Sequence, residues 1–403
     1  MRFSPWRASA TRFVAWILAA ASLVTVSAPA RSADAPYEIN VILPLTGRVA
    51  FVGQTDQQAL KALEGYVNKT GGIRGRPLSF VISDDQSDPK VSLQIAQGMI
   101  AKNVPIILGP SGPDTCAAIA PVVEEKGPLF YCLANAGHPT VGSYQFLTLF
   151  PYEPQFVVTM RYFREHGWKK LAYAVAADAG GQDAEKALLY AANLPENKTA
   201  IQIVAHEYYT PGDLSAAAQM ERIKTAKPDV LVIWATGTAA GTMFRSAQDL
   251  NIDLPTATSP GNLNAGFFKQ YGPKLPTNLL FASVPYYAGD VGASAATKAA
   301  TATLTNALAP LGAKPDMIEI SAWDPGMILV EALRKLGPDA SAAKLKAYLS
   351  TLQSFTGVNG PYDFKAEPQR GLGSKNIVMV RYDQKDGSFT AVSKFGGSPL
   401  SGK

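Results

Sequence analysis

The hydrophobic pattern from Tyr37 onward alternates two kinds of segment. Short β-branched and apolar runs at 38–43, 78–83, 105–108 and 128–132 give way to Gly, Pro, Asp or Asn, and stretches of helical period lie between them. This alternation predicts a parallel sheet covered by helices on both faces. Leu60, Leu63 and Val67 mark one helix, which stops at Gly71-Gly72. Asp88 followed by Pro89 starts another, with Val91, Ile95 and Met99 on one face. A second series begins after Pro151-Tyr152-Glu153-Pro154, with strands expected at 171–176, 201–205, 230–233 and 279–282. A helix over 155–166, bounded by prolines and by Gly167, places the break between two α/β units near residue 152. A long helix at 320–336 and a β-rich end at 377–382 and 389–392 follow. Periodicity alone does not assign these last elements to either unit.

Composition fits two domains: 403 residues with 47% hydrophobic and 17% charged is too long for one ordinary core and too apolar for a disordered chain. The amino terminus is separate. Arg2, Arg7 and Arg12 accompany the uncharged apolar run 13–26 and the small residues Ala28-Pro29-Ala30, the pattern of a secretory signal peptide over residues 1–30, with cleavage after Ala30 or Ala33. The run falls short of the roughly 20 residues a membrane span requires, and a retained anchor is the alternative. Taking those three arginines from the net charge of +5 leaves +2, no electrostatic footprint for nucleic acid. In a periplasmic location, outside the cytoplasm, Cys116 and Cys132 form either a disulfide or a pair of buried free thiols.

Catalytic signals are missing. The chain has no Gly-x-Ser-x-Gly elbow and no phosphate loop, and Pro44-Leu45-Thr46-Gly47 stands after the first strand where a dinucleotide fingerprint would sit. His138, His166 and His206 fall at loop, helix and strand ends, and with two cysteines they lack the close spacing of a zinc cluster. Asp84-Asp85 reads as turn and capping material ahead of Asp88-Pro89. The expectation is a binding protein that is not an enzyme and needs no metal or cofactor. Its ligand would lie beyond the carboxyl ends of the strands, in a cleft between lobes.

Specific residues sharpen this. The stretches 70–77 (TGGIRGRP), 84–89 (DDQSDP), 107–110 (ILGP), 120–125 (APVVEE), 211–213 (PGD), 227–231 (KPDVL) and 357–364 (GVNGPYDF) resemble, in order, the leucine/isoleucine/valine-binding family of ABC-transporter solute-binding proteins. The resemblance implies an α/β fold of two Rossmann-like lobes with parallel sheets, joined by a three-crossover hinge (type I periplasmic binding fold). Lobe one would span 36–152 plus 285–355, and lobe two 153–284 plus 356–403. A monomer would capture its solute and deliver it to an inner-membrane ABC permease. A ligand sensor partnering a chemoreceptor is the alternative role.

By the same resemblance, two loops of lobe one hold the ligand carboxylate. Ser111, Gly112, Pro113 and Thr115 stand in the first, at a helix N-terminus, and Ala134 with Asn135 in the second. Cys116 and Cys132 lie in or beside these loops. In lobe two, Gly180 replaces the aromatic residue typical of amino-acid binders, and Asn262 lies in a segment, 254–289, without any Asp or Glu to hold an ammonium. These departures favour a carboxylate with an aromatic or apolar body, contacted by Phe51, Tyr152, Trp234 and the neighbouring Gly237. An amino acid is the alternative ligand, with Asp183, Glu153 or Asp114 supplying the missing acid.

Overall fold

The computed structural model describes residues 35–400 apart from Ala136 and Asp290. The segment read as a signal peptide lies outside the described residues.

The first sheet is built from β1 (Tyr37–Leu43), β2 (Leu78–Asp84), β3 (Ile106–Leu108), β4 (Leu129–Cys132) and β5 (Gln145–Leu147), all parallel, in the order β2-β1-β3-β4-β5. The second begins with β6 (Lys170–Ala176), β7 (Gln202–Tyr209), β8 (Val230–Trp234), β9 (Thr256–Thr258) and β10 (Leu279–Ser283), again parallel. After the small hairpin of β11 (Thr356–Gly357) and β12 (Gly360–Pro361), β13 (Val378–Tyr382) and β14 (Phe389–Ala391) extend that sheet antiparallel, giving β14-β13-β10-β9-β8-β6-β7. Central strands such as Ile-Ile-Leu in β3 and Val-Leu-Val-Ile-Trp in β8 are buried throughout, because helices cover both faces. The expected β-rich end therefore belongs to the second sheet. Strands β5 (Gln-Phe-Leu) and β9 (Thr-Ala-Thr) lack the wholly apolar run that marks the equally short β3, and no sequence pattern announces them.

The long helix is Met317–Leu336, starting three residues before its expected position because Asp316 and Glu319 close a capping box around its first turn. It lies against helix Ala50–Lys69 on the first lobe. Gly326 permits the approach, since a β-carbon there would sit 2.3 Å from Leu63 Cδ2, and Arg334 Nε donates to the Gly72 carbonyl at 2.9 Å.

Three crossovers join the lobes: residues 148–151, ahead of helix Tyr152–Glu165, which packs on the second sheet; the connection between β10 and helix Ala295–Leu308; and residues 350–377. The third is locked by Asp324. This wholly buried carboxylate accepts from the Val358 and Asn359 backbone N–H groups at 3.0 and 2.9 Å, and from the Asn359 amide and Tyr362 hydroxyl at 2.8 and 3.1 Å. Gly357 leaves room for it, because a β-carbon there would lie 2.3 Å from Asp324 Oδ2. Farther along, Gln369 receives Leu147 N–H at its carbonyl at 3.0 Å, and its amide donates to the Ser143 and Gln145 carbonyls, both at 3.1 Å. The outer edge of β5 is thereby covered. Asp84 and Asp85 act as the turn material expected: Asp84 accepts Leu45 and Gln86 N–H, and Asp85 accepts the Ser92 hydroxyl. Among the described residues no helix is long and apolar enough to cross a membrane.

Candidate ligand-binding cleft

Each sheet reverses its strand order once, between β1 and β3 in the first and between β6 and β8 in the second. Such reversals open a crevice beyond the strand carboxyl ends. Helices Ala50–Lys69, Pro113–Val123, Ala179–Ala192 and Gly237–Asp249 follow those four strands. Their first turns carry Phe51, Pro113 with Thr115, Gly180 with Asp183, and Gly237.

On the first lobe, Gly112 is the extended N-cap residue of helix Pro113–Val123, and the Thr115 hydroxyl folds back to donate to the Gly112 carbonyl at 2.9 Å. Thr115 is buried, Ser111 half-buried. A hydrogen bond joins the Ser111 hydroxyl to Oδ2 of Asp56, a wholly buried acid in helix Ala50–Lys69. The other carboxyl oxygen, Oδ1, is buried without a partner. Burial pushes the Asp56 carboxyl up to about 8, and the Asp316 carboxylate adds to the shift while the Ser111 bond opposes it. Cys116 and Cys132 are bonded, Cα to Cα 6.0 Å, tying the helix after β3 to the end of β4. Ala134 is buried and Asn135 half-buried just beyond this bridge.

The second lobe presents a different wall. Trp234 ends β8, its ring 4.4 Å from Phe156 and 5.4 Å from Tyr152, centroid to centroid. Its indole N–H lies beside the Tyr152 hydroxyl without closing a hydrogen bond. Gly237 takes φ +59°, which glycine tolerates, and its N–H donates to Asn262 Oδ1 at 3.0 Å. The Asn262 amide donates to the Ala235 carbonyl at 2.9 Å and to Thr258 Oγ1 at 3.2 Å. Its amide oxygen and nitrogen thus brace the loops after β8 and β9 against each other.

The lobes meet across the cleft at three places. A β-carbon on Gly237 would stand 3.7 Å from the Phe51 ring. One on Gly180 would stand 3.7 Å from Pro113 Cγ and 3.8 Å from the Tyr152 hydroxyl, so the place a larger side chain would enter is bounded by these two residues. Asp183 accepts the Gly137 N–H at 2.9 Å and pairs with His138 Nε2 at 2.6 Å, while Glu153 stands 3.6 Å from His138 Nδ1. Asp183 and Glu153 are therefore engaged with the loop after β4, and Asp114 pairs with Arg48 at 3.3 Å.

Two groups escaped sequence reasoning. Asp56 had left a trace: an acid four residues before Leu60 and seven before Leu63 interrupts an apolar stripe. Asp316 left none. Its Oδ2 accepts the Ala265 N–H at 3.3 Å, and the Met317 N–H reaches the Leu263 carbonyl at 3.0 Å, so a first-lobe helix brings Asp316 and Glu319 to the acid-free segment 254–289. The segment 254–289 carries no acid of its own, as its sequence states, and this contact sets Asp316 from a distant element beside it. Burial, reinforced by Asp316, pushes Glu319 up to about 9.

Two lobes with parallel sheets, three crossovers and opposed strand-end loops define a bilobed binding protein. Residues 36–388 match the profile described as periplasmic binding protein, and the chain belongs to that family. It is 26% identical over 329 residues to the Leu/Ile/Val-binding protein BraC3 of Rhizobium johnstonii, covering 79% of this chain and 84% of that protein. Among solved structures it resembles the branched-chain amino acid transporter substrate-binding protein LivJ of Streptococcus pneumoniae in complex with isoleucine (TM-score 0.75, 21% identity, 89% of this chain and 99% of that one). It also resembles an extracellular ligand-binding receptor of Rhodopseudomonas palustris (TM-score 0.79, 20% identity, 88% and 99%). These structural likenesses confirm the expected type I fold.

Proposed function

We propose that the protein is the extracytoplasmic solute-binding component of an ABC importer, a monomer that captures an amino acid with an apolar side chain and passes it to an inner-membrane permease. The observation that carries this reading is Asp316 at the seam between the lobes, a carboxylate able to receive an ammonium on the side where the local sequence offers none. The names of the relatives point the same way. The loop at Ser111–Gly112 suits the ligand carboxylate, since it precedes a helix N-terminus with free backbone donors. Trp234, Tyr152 and Phe51 supply apolar surface for the side chain. Capture and release involve no covalent chemistry.

A second reading, an aromatic or other hydrophobic organic acid, is favoured by Gly180 and by the acid-free run 254–289 itself. Thermal shift followed by calorimetry separates the two. Leucine, isoleucine, valine and alanine are expected to raise the melting temperature, and benzoate and phenylpropanoate to leave it unchanged. A response to the aromatic acids alone would replace the first reading by the second.

A further inference from the structure

We propose that Asp56 is a neutral carboxylic acid that donates its proton to Ser111 Oγ, freeing the Ser111 hydroxyl proton for the carboxylate of the ligand. Asp56 would be a positioning residue acting through Ser111, and the proposal rests on the reading that a carboxylate ligand sits at this loop.

The geometry supports a neutral acid in three ways. Asp56 is wholly buried, and no ion pair joins it to a cation among the described residues. Its Oδ1 has no donor, which a neutral carbonyl oxygen tolerates far better than half of a buried carboxylate does. The group acting on it through space is another acid, Asp316, the N-cap of the helix packed against its own. That same helix carries Glu319; the other helix in contact, Ala295–Leu308, carries Lys298; and Arg48 near the start of the Asp56 helix is paired to Asp114. Burial holds the Asp56 proton to about pH 8.

Function supplies a further reason. An ionised Asp56 would accept the Ser111 proton, turning the hydroxyl lone pairs toward the cleft and placing a negative charge directly behind an anion site. Protonation reverses both effects: the proton on Asp56 Oδ2 goes into the bond with Ser111 Oγ, and the hydroxyl hydrogen points outward. The proton count is unchanged on binding, because the ligand carboxylate receives a hydrogen bond and no proton.

The test uses leucine, with benzoate as a second probe, by calorimetry from pH 6.5 to 9 on the full chain. The wild-type Kd is expected to rise about tenfold between pH 7 and 9 as Asp56 ionises. Ser111→Ala should bind about tenfold more weakly at pH 7 and lose the part of that dependence that runs through the hydroxyl, keeping the smaller part due to the Asp56 charge. Asp56→Asn, whose amide can still donate to Ser111, should bind a few-fold more weakly with a flat profile. The infrared difference spectrum at pH 7 without ligand, wild type minus Asp56→Asn, should show a protonated-carboxyl carbonyl band, since the protonated Glu319 is common to both and cancels. A wild-type profile retained in Ser111→Ala or in Asp56→Asn, or absence of that band, overturns the role of Asp56 while leaving the amino-acid reading intact. If the wild type binds neither probe at any pH, the carboxylate reading fails, and this proposal with it.

Discussion

The two walls of the cleft use opposite means to hold their shape. The first lobe relies on buried acids and a covalent bridge: Asp56 behind Ser111, Asp324 under the third crossover, Glu319 beside Asp316, and Cys116–Cys132 between the two loops. The second relies on aromatic packing and one amide, with Trp234 against Phe156 and Tyr152, and Asn262 spanning the loops after β8 and β9. One wall is therefore sensitive to protons and reductant, the other to side-chain volume.

The largest expected effect sets the walls apart by pH. Asp324, Asp56 and Glu319 are pushed by burial up to about 6, 8 and 9, above the values they take in an unfolded chain. A raised folded pKa means that the native state keeps protons the unfolded chain has lost. Their contribution is present at acid pH and falls away as the pH rises through those values. Melting followed by calorimetry should show a temperature that falls between pH 5 and 9, together worth several kcal/mol; a flat or rising profile would contradict the assignment. Next in size, Trp234→Ala removes the packing of the second wall and should cost about 3–5 kcal/mol in denaturant unfolding, with no effect on the slope of stability with pH. A steeper pH slope in that variant would show the two walls to be coupled. Reduction of Cys116–Cys132, or its replacement by two serines, should cost about 3 kcal/mol for a loop of this length. If the loops after β3 and β4 hold the ligand as proposed, it should also weaken ligand affinity, since the bridge ties them together. Unchanged affinity after reduction would mean that the loops hold their positions without it.

Much of the fold can be read from alternation and punctuation. Buried runs such as 230–234 and the Asp88-Pro89 helix start carry their own signals, because each depends on neighbours in sequence. β5 and β9 are strands only through their partners, since their mixed polar and apolar residues carry no signal of the kind Ile-Ile-Leu gives for β3. The placement of helix Met317–Leu336 was hidden for the same reason: it follows from the contact of Gly326 with Leu63 and the reach of Arg334 to Gly72, both long-range. At the candidate site, motif and resemblance pointed to the loops around Ser111 and Ala134, which follow β3 and β4. Asp56 was visible as an acid on an apolar stripe, yet its partner stands 55 residues away. Asp316 meets Ala265 only because the crossovers bring distant segments together, and no local pattern records that.

The covering of β5 by Gln369 and Arg370 has a consequence for how the chain is made. A sheet edge with free N–H and C=O groups invites pairing with other chains. Here Gln369 closes that edge by accepting the Leu147 N–H, and Arg370 beside it donates to the Thr148 and Gly137 carbonyls, 222 and 233 residues earlier in the chain. During synthesis the first lobe waits for them with a sticky flank. Chains cut short before residue 369 would carry most of a lobe with that edge open, a combination suited to aggregation.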